Sequence, residues 1–591
     1  MCFQDIKAVF VGGMRMVTYP SAPIAFAGEK CLIWINQGKG AIMTTRVKWL
    51  LVCFAVLCLT ALYSFRDFAP VRVIGTKLSL GAQPEPLMVQ VARDFPSSTA
   101  HIFSDAELRT FVVAASKAEA IDDPLQRCLA YPDPPGSHWT HAAVVAYCQY
   151  RTAPYITFDQ VKALIEQGKS AELDREMADA LKAQYTAPYA YGRLERIFAA
   201  DFDNGSLDIR PILDAWKRNS PNSAFAYAAS GYAYVAMAHD ARGGDYINRT
   251  SQDKVDAMGR LLQRADTDLQ KAISIEPRIT PVYAAMIHAG GLELGNDYAV
   301  NAAQQGLRQD PGSWIIYREL LWLSTPQWGG SLALLHRISA DAAAHSATNP
   351  LLAMEKNTTL VYEANVGNCD CGLPTLPYEF PYVLDELASS TVLAAAGRTG
   401  WQQNMPSIAV VYLSEALRFA PGMADARFQR VGALADAGVT DTALRQINQL
   451  MAVDSRNYDD YQQRAYIYLL QHDYANAEKD LDTMLTLKPA DRWSLEQLAS
   501  MYINQTHQWD KGWDVAGQLM QDVPDDPEGW VFRATIAQQQ PRDGLAETVN
   551  DAIAHFGNDP RQRGVLARLK RMLTTGAKPT VSSGGASSAT R

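Results

Sequence analysis

The sequence predicts an all-α protein, a superhelix of stacked helical hairpins behind one N-terminal transmembrane helix, and three observations predict it. Residues of like character recur at an offset of 34 over the C-terminal third of the chain. Small residues hold fixed places within that period, and prolines close it. Near the N-terminus, one apolar run is long enough to cross a bilayer. Composition agrees with a folded, multi-unit chain: 591 residues exceed one ordinary core, 48% are apolar and 20% charged. The net charge of −9 and the lack of any basic run exclude a nucleic-acid backbone as partner.

In chain order, residues 1–42 are a non-structural N-terminal extension, with a second methionine, Met43, standing just ahead of the apolar run. Residues 43–66 are the transmembrane signal anchor; the run Trp49–Phe65 spans about 25 Å as a helix. Arg46 and Lys48 precede it, which favours a cytoplasmic N-terminus and a chain facing the periplasm. The end of the run, LTALYSFRD, offers no small-x-small cleavage site, so the segment stays as an anchor in a bacterial inner membrane. Residues 67–95 are a linker, 96–390 a helical domain, 391–560 the repeats, and 561–591 a terminal helix with a disordered Ser/Gly-rich tail.

The repeat is read from DYANAEKDLDTMLTLKP at 473–489. Ala409, Ala443 and Ala477 share one register, as do Ala465 with Ala499 and Tyr468 with Tyr502. Upstream, Ala265 pairs with Ala299 and Pro277 with Pro311 at the same offset. Alanines serve where two helices cross closely, while Tyr461, Leu481 and Met484 fill the gaps. Pro421, Pro489 and Pro524 end second helices because proline lacks the amide proton. A 34-residue helix–turn–helix unit of this kind resembles the tetratricopeptide repeat (TPR). Two departures stand out: Arg430 and Arg464 sit where that family prefers leucine, and NQTHQWD carries one residue too many.

The 96–390 half is also helical by periodicity; FDQVKALIEQG, for example, ends at Gly168. It resembles a group of uncharacterised bacterial proteins with TPR-like helices, on DAWKRNSPNSAFAYAASGYAYVAMAHDARGG (214–244) and STPQWGGS (324–331). The resemblance implies a superhelix and no established activity.

Chemistry is sparse. GKS at 168–170 lacks the first glycine of a phosphate loop and reads as a helix end. His138 and His141 lie between Cys128 and Cys148 in a spacing that fits no zinc framework, so a disulfide is preferred. Cys369 and Cys371 form a CxC pair, either a staple of their loop or a readily reduced redox pair. The four cysteines Cys128, Cys148, Cys369 and Cys371 are the disulfide candidates, with connectivity left open. The glycines of WGGS and ARGG read as sharp helix exits, with Arg242 tying helix ends through a salt bridge. No catalytic residue, metal ligand or cofactor is assigned.

The TPR resemblance implies a concave groove lined by the first helix of each unit. Its groove places are Asp425 and Phe428, then Asp459, Gln462, Tyr466 and Leu469, then Trp493, Glu496 and Asn504. That acidic and aromatic set fits a protein or peptide segment with apolar anchors and a basic residue. The expected function is a membrane-anchored interaction scaffold without catalysis, held in the bilayer by residues 46–66. An enzyme or thiol-exchange protein with its site in 96–390 is the competing reading.

Overall fold

The computed structural model describes residues 102–187, 190–364, 366, 377–452, 457–540 and 543–575. The described residues are helical throughout, with no strand among them. The proposed anchor, Cys369 and Cys371, and the tail from 576 onward lie outside them, and no described helix is long and apolar enough to cross a membrane.

Helices α1 (Asp105–Glu119), α2 (Pro124–Ala130) and α3 (His141–Thr152) open the described chain. They are followed by α4 (Phe158–Glu166), α5 (Ser170–Thr186), α6 (Arg193–Ile197) and α7 (Arg210–Asn219). Three hairpins come next: α8 (Ala224–Arg242) with α9 (Gln252–Ile275), α10 (Thr280–Ala289) with α11 (Asn296–Gln309), and α12 (Trp314–Ser324) with α13 (Leu332–Ala344). Short helices α14 (Thr358–Glu363) and α15 (Phe380–Val383) cross to the second array. This array pairs α16 (Ser390–Gln402) with α17 (Pro406–Phe419), α18 (Ala424–Asp436) with α19 (Thr440–Met451), and α20 (Tyr458–Leu470) with α21 (Tyr474–Leu487). It continues with α22 (Arg492–Asn504) and α23 (Trp509–Asp522), α24 (Glu528–Gln539) and α25 (Leu545–Phe556), and ends on α26 (Arg563–Thr575).

The hairpin turns show why the period holds. Asn404, Gly438 and His472, spaced by 34, all take the left-handed conformation (φ 58°, 73° and 57°), and His507 takes it one residue late (φ 51°). Such a residue ends a helix by letting the next amide reach back over the last turn. Met405, Val439 and Asp473 each donate to the carbonyl five residues earlier, on Gly400, Leu434 and Tyr468; Gln508 reaches six back, to Tyr502. The extra residue in NQTHQWD is absorbed there, and the following helix keeps its place. Gly329 repeats the device upstream (φ 83°), with the Gly330 amide donating to the Thr325 carbonyl; Gly295, 34 residues earlier, also has positive φ (95°) but an extended ψ and bonds Gly290 through its own amide.

Within the hairpins Ala265, Ala299, Ala409, Ala443, Ala465, Ala477 and Ala499 are completely buried. First helices adjoin first helices from one unit to the next, α16 to α18 to α20 and α8 to α10 to α12. Their common face is termed the inner face of each stack.

The core does not break at the 390/391 boundary drawn from sequence. A single apolar cluster runs from Phe103 to Ile467, because α1–α3 pack against the second array. Trp139 Nε1 donates to the Leu384 carbonyl (3.1 Å), and the Tyr147 hydroxyl meets Ser390 (3.2 Å). The arginines that depart from the repeat pattern have partners. Arg430 is buried and donates to Glu119 on α1 (2.5 Å) and to the Tyr131 hydroxyl (3.2 Å). Arg464 forks onto Asp480 with two bonds of 2.8 and 2.7 Å. Leucine at 430 would leave the docked N-terminal helix without its anchor.

Candidate functional site

All nine predicted groove residues lie on first helices: Asp425 and Phe428 on α18, the next four on α20, the last three on α22. Asp425, Asp459 and Asn504 are exposed, and the other six are half-buried. Sequence reasoning missed a residue that links the first helices. The Asp436 carboxylate accepts from Trp401 Nε1 on α16 (2.8 Å) and from the Tyr466 hydroxyl on α20 (3.0 Å), linking three successive first helices. Burial and the Asp436 charge push the Tyr466 phenol up to about 12, so it stays a donor. Glu496 differs from its expected role as a free groove carboxylate. Arg492 donates to it at 2.6 Å and also pairs with Asp526, so its charge is met within the chain. Asp425 and Asp459 carry the acidity that remains.

A second constellation lies on the inner face of the upstream stack. His239 on α8, His288 on α10 and Glu319 on α12 form a line, with His239 Nδ1 2.8 Å from His288 Nε2 and His288 Nδ1 2.9 Å from Glu319. Burial, His288 and Arg242 push His239 down to about 4, leaving it neutral. Burial also works against a charged His288, but the Glu319 and Asp203 carboxylates outweigh it and raise its pKa. As the imidazolium, His288 donates to Glu319 on one side and to the lone pair of His239 on the other.

The two stretches that carried the second resemblance meet at this line. Trp322 stacks on His288 (4.3 Å between centroids, 9°), Trp328 packs on Trp322 (4.1 Å), and the Arg242 guanidinium lies over Trp328 (5.1 Å). Arg242 was expected to tie helix ends by a salt bridge; in place of one it makes this ring contact and a bond to the neighbouring Gly243 carbonyl (3.1 Å). The WGGS glycines make the turn. A Cβ on Gly330 would stand 2.0 Å from the Ser324 carbonyl oxygen, and Gly329 is left-handed. Gly330→Ala is expected to cost about 1–3 kcal/mol and to separate Trp328 from Trp322. Thermal unfolding and tryptophan emission read both, and an unchanged melting curve would remove this account of the motif.

Beside the line stand four polar groups, two of them exposed and two half-buried. Arg318 on α12 is exposed and lies over the Trp314 indole (5.2 Å), and Tyr150 of α3 meets that indole edge-on (5.0 Å). Tyr232 packs on Phe198 (5.7 Å), and Asp203 follows the π-turn Phe198–Phe202. Among the described residues, the Arg318 guanidinium, the Tyr150 and Tyr232 hydroxyls and the Asp203 carboxylate have no hydrogen-bond or ion-pair partner. Asp203 touches solvent, yet enough protein surrounds it that desolvation raises its carboxyl. Arg318, also solvent-accessible, has a raised pKa: the surrounding protein works against its charge, but Tyr150, Glu319 and Glu355 outweigh that.

The cysteine pair upstream is closed. Cys128 and Cys148 are joined as a disulfide and are buried, so their sulfurs are not thiolate ligands. His138 turns instead to Asp385 (2.8 Å), whose bond and charge raise it above the ordinary histidine range, and His141 is exposed. Gly168 and Lys169 form the turn between α4 and α5.

No family model matches the chain, and no curated protein matches it either. Among solved structures, the crystal structure of the P58(IPK) TPR domain is similar at 14% identity, covering 70% of this chain and 99% of that one, with a TM-score of 0.20. A superposition of that quality carries no argument, and the account of this fold rests on its own helices.

Proposed function

We propose that the protein is a membrane-anchored scaffold of TPR type that holds a partner protein through the inner face of its second array, without catalysis. One observation supports the reading: Trp401, Asp436 and Tyr466 link three successive first helices, and the same helices carry half-buried Phe428 and the unpaired carboxylates of Asp425 and Asp459, with half-buried Trp493 on the next. Aromatic side chains offer rigid contact area at low entropic cost, and exposed carboxylates select a positive charge. The partner is a peptide segment with apolar anchors and a basic residue. Residues 46–66 hold the protein in the inner membrane with its bulk in the periplasm, an orientation that a phosphatase fused at the C-terminus reports by its activity.

The test is capture from membranes by the tagged native protein, by a Tyr466→Ala/Trp493→Ala double variant and by Asp459→Lys. A partner held by the native protein, lost with the double variant and weakened about tenfold or more by the charge reversal supports the groove. Equal capture by all three sinks it. The line Glu319–His288–His239 is the one observation that favours an enzyme instead, since a carboxylate-oriented imidazole is the usual base of proton-transfer chemistry.

A further inference from the structure

Arg318 lacks the partner that several arginines of the upstream half have. Arg210 is paired with Asp214 (2.8 Å), Arg278 with Glu276 (2.7 Å), and Arg196 is tied to the carbonyls of Tyr150 and Ala153 (2.5 and 2.6 Å). Arg318 has only the indole of Trp314 beneath it. Nearby carboxylates are already engaged: Glu355 accepts from Trp314 Nε1 (2.8 Å) and Thr358 (2.7 Å), Glu319 holds His288, and Glu195 accepts from Thr280 (3.0 Å) and Ser313 (2.8 Å). The fold has spent its acids elsewhere and left this guanidinium open.

Three further groups without a hydrogen-bond partner stand within electrostatic reach of it on separate elements. Tyr150 comes from α3, outside the hairpin stack, and meets the Trp314 indole edge-on. Tyr232 lies seven residues before His239 on α8 and so shares its face. Asp203 supplies a carboxylate from the loop after the π-turn. A cation, two phenolic donors and a carboxylate complement a ligand that carries both charges.

We propose that the inner face of the upstream stack binds a zwitterionic amino-carboxylate, a free amino acid or the free ends of a short peptide. Its carboxylate sits on Arg318 and the Tyr150 and Tyr232 hydroxyls, and its ammonium meets Asp203. A planar guanidinium takes a carboxylate through two parallel bonds, and tyrosine hydroxyls complete its coordination. Trp322, half-buried on His288, reports occupancy by its emission. The site lies on other helices than the partner groove, so it does not depend on that reading.

The test uses the purified full-length protein and follows tryptophan emission during titration with two pools, the natural L-amino acids and random dipeptides. Each dipeptide pool is made with free ends, N-acetylated, or as the C-terminal amide. Saturable binding is expected from one pool with free ends, weakened tenfold or more by Arg318→Ala, about the value of one charge-assisted hydrogen bond. Amidation should weaken the dipeptide equally in the native protein and add nothing in Arg318→Ala; acetylation should weaken it in the native protein and not in Asp203→Asn. Saturation by the amino-acid pool alone identifies the free amino acid as the source. No saturation by either pool up to about 10 mM, a free energy weaker than ~3 kcal/mol, overturns the proposal. So does saturation that Arg318→Ala leaves unchanged, once its melting curve matches the native one.

Discussion

Arg418→Ala is expected to destabilise the protein by about 3–5 kcal/mol, the usual loss when one partner of a buried ion pair is removed. Its side chain is 2% exposed and donates to the Cys128 carbonyl (2.8 Å), Asp133 (2.7 Å) and Glu415 (3.2 Å). Glu415 is wholly buried, and one of its oxygens already lacks a partner. Burial pushes Glu415 up to about 8 even with the guanidinium in place; without it the group is forced to stay protonated. The double variant Arg418→Ala/Glu415→Gln should recover part of the loss, since the amide is neutral without taking up a proton. Urea unfolding of the three proteins measures this, and a single-variant loss below ~1 kcal/mol, the scale of a surface pair, would show that Arg418 is dispensable.

The second large effect is a pH dependence held by Glu195. This carboxyl, buried on α6, fastens the starts of two first helices by accepting from Thr280, Ser313 and the Ile315 amide (3.3 Å). Burial and the Asp310 charge push it up to about 7. A folded pKa above the unfolded value of ~4.5 means that the native state holds the proton more tightly. Its stability contribution is therefore whole below pH ~4.5 and is lost as pH rises through about 7. At about 1.4 kcal/mol per unit the group costs the native protein roughly 3 kcal/mol by pH ~8. Glu195→Gln cannot ionise, so its deficit relative to the native protein should be largest near pH 5 and shrink by about that amount at pH ~8. A deficit that does not change across the window would show that Glu195 is charged throughout.

Legibility in the sequence followed the physics of repetition. The alanine register, the closing prolines and even the inserted residue in NQTHQWD were visible, because each unit needs the same contacts at the same places. The upstream hairpins were harder to see. Helices α8 and α9 are long and separated by a loop of their own, and the π-turn Gly290–Leu294 slips the register of α10. The inner-face line was invisible for a different reason. His239, His288 and Glu319 stand 49 and 31 residues apart, a spacing set by stacking rather than by any local motif. Asp436 and Arg318 likewise look like ordinary helix surface until their neighbouring helices are placed. The Arg430 departure, by contrast, was visible as an anomaly, and only the docked α1 explains it.

That docking bears on how the chain is made. An array in which each unit touches only its neighbours folds as it emerges, unit by unit. Here α1 must wait, because Glu119 finds Arg430 after 311 further residues and the Cys128 carbonyl finds Arg418 after 290. At about 5–20 residues per second the ribosome leaves the apolar side of Phe103, Leu108 and Phe111 uncovered for roughly 15–60 s. During that interval the nascent segment is a substrate for a holding chaperone, and a ribosome stalled before residue 418 would release a product that presents that surface permanently.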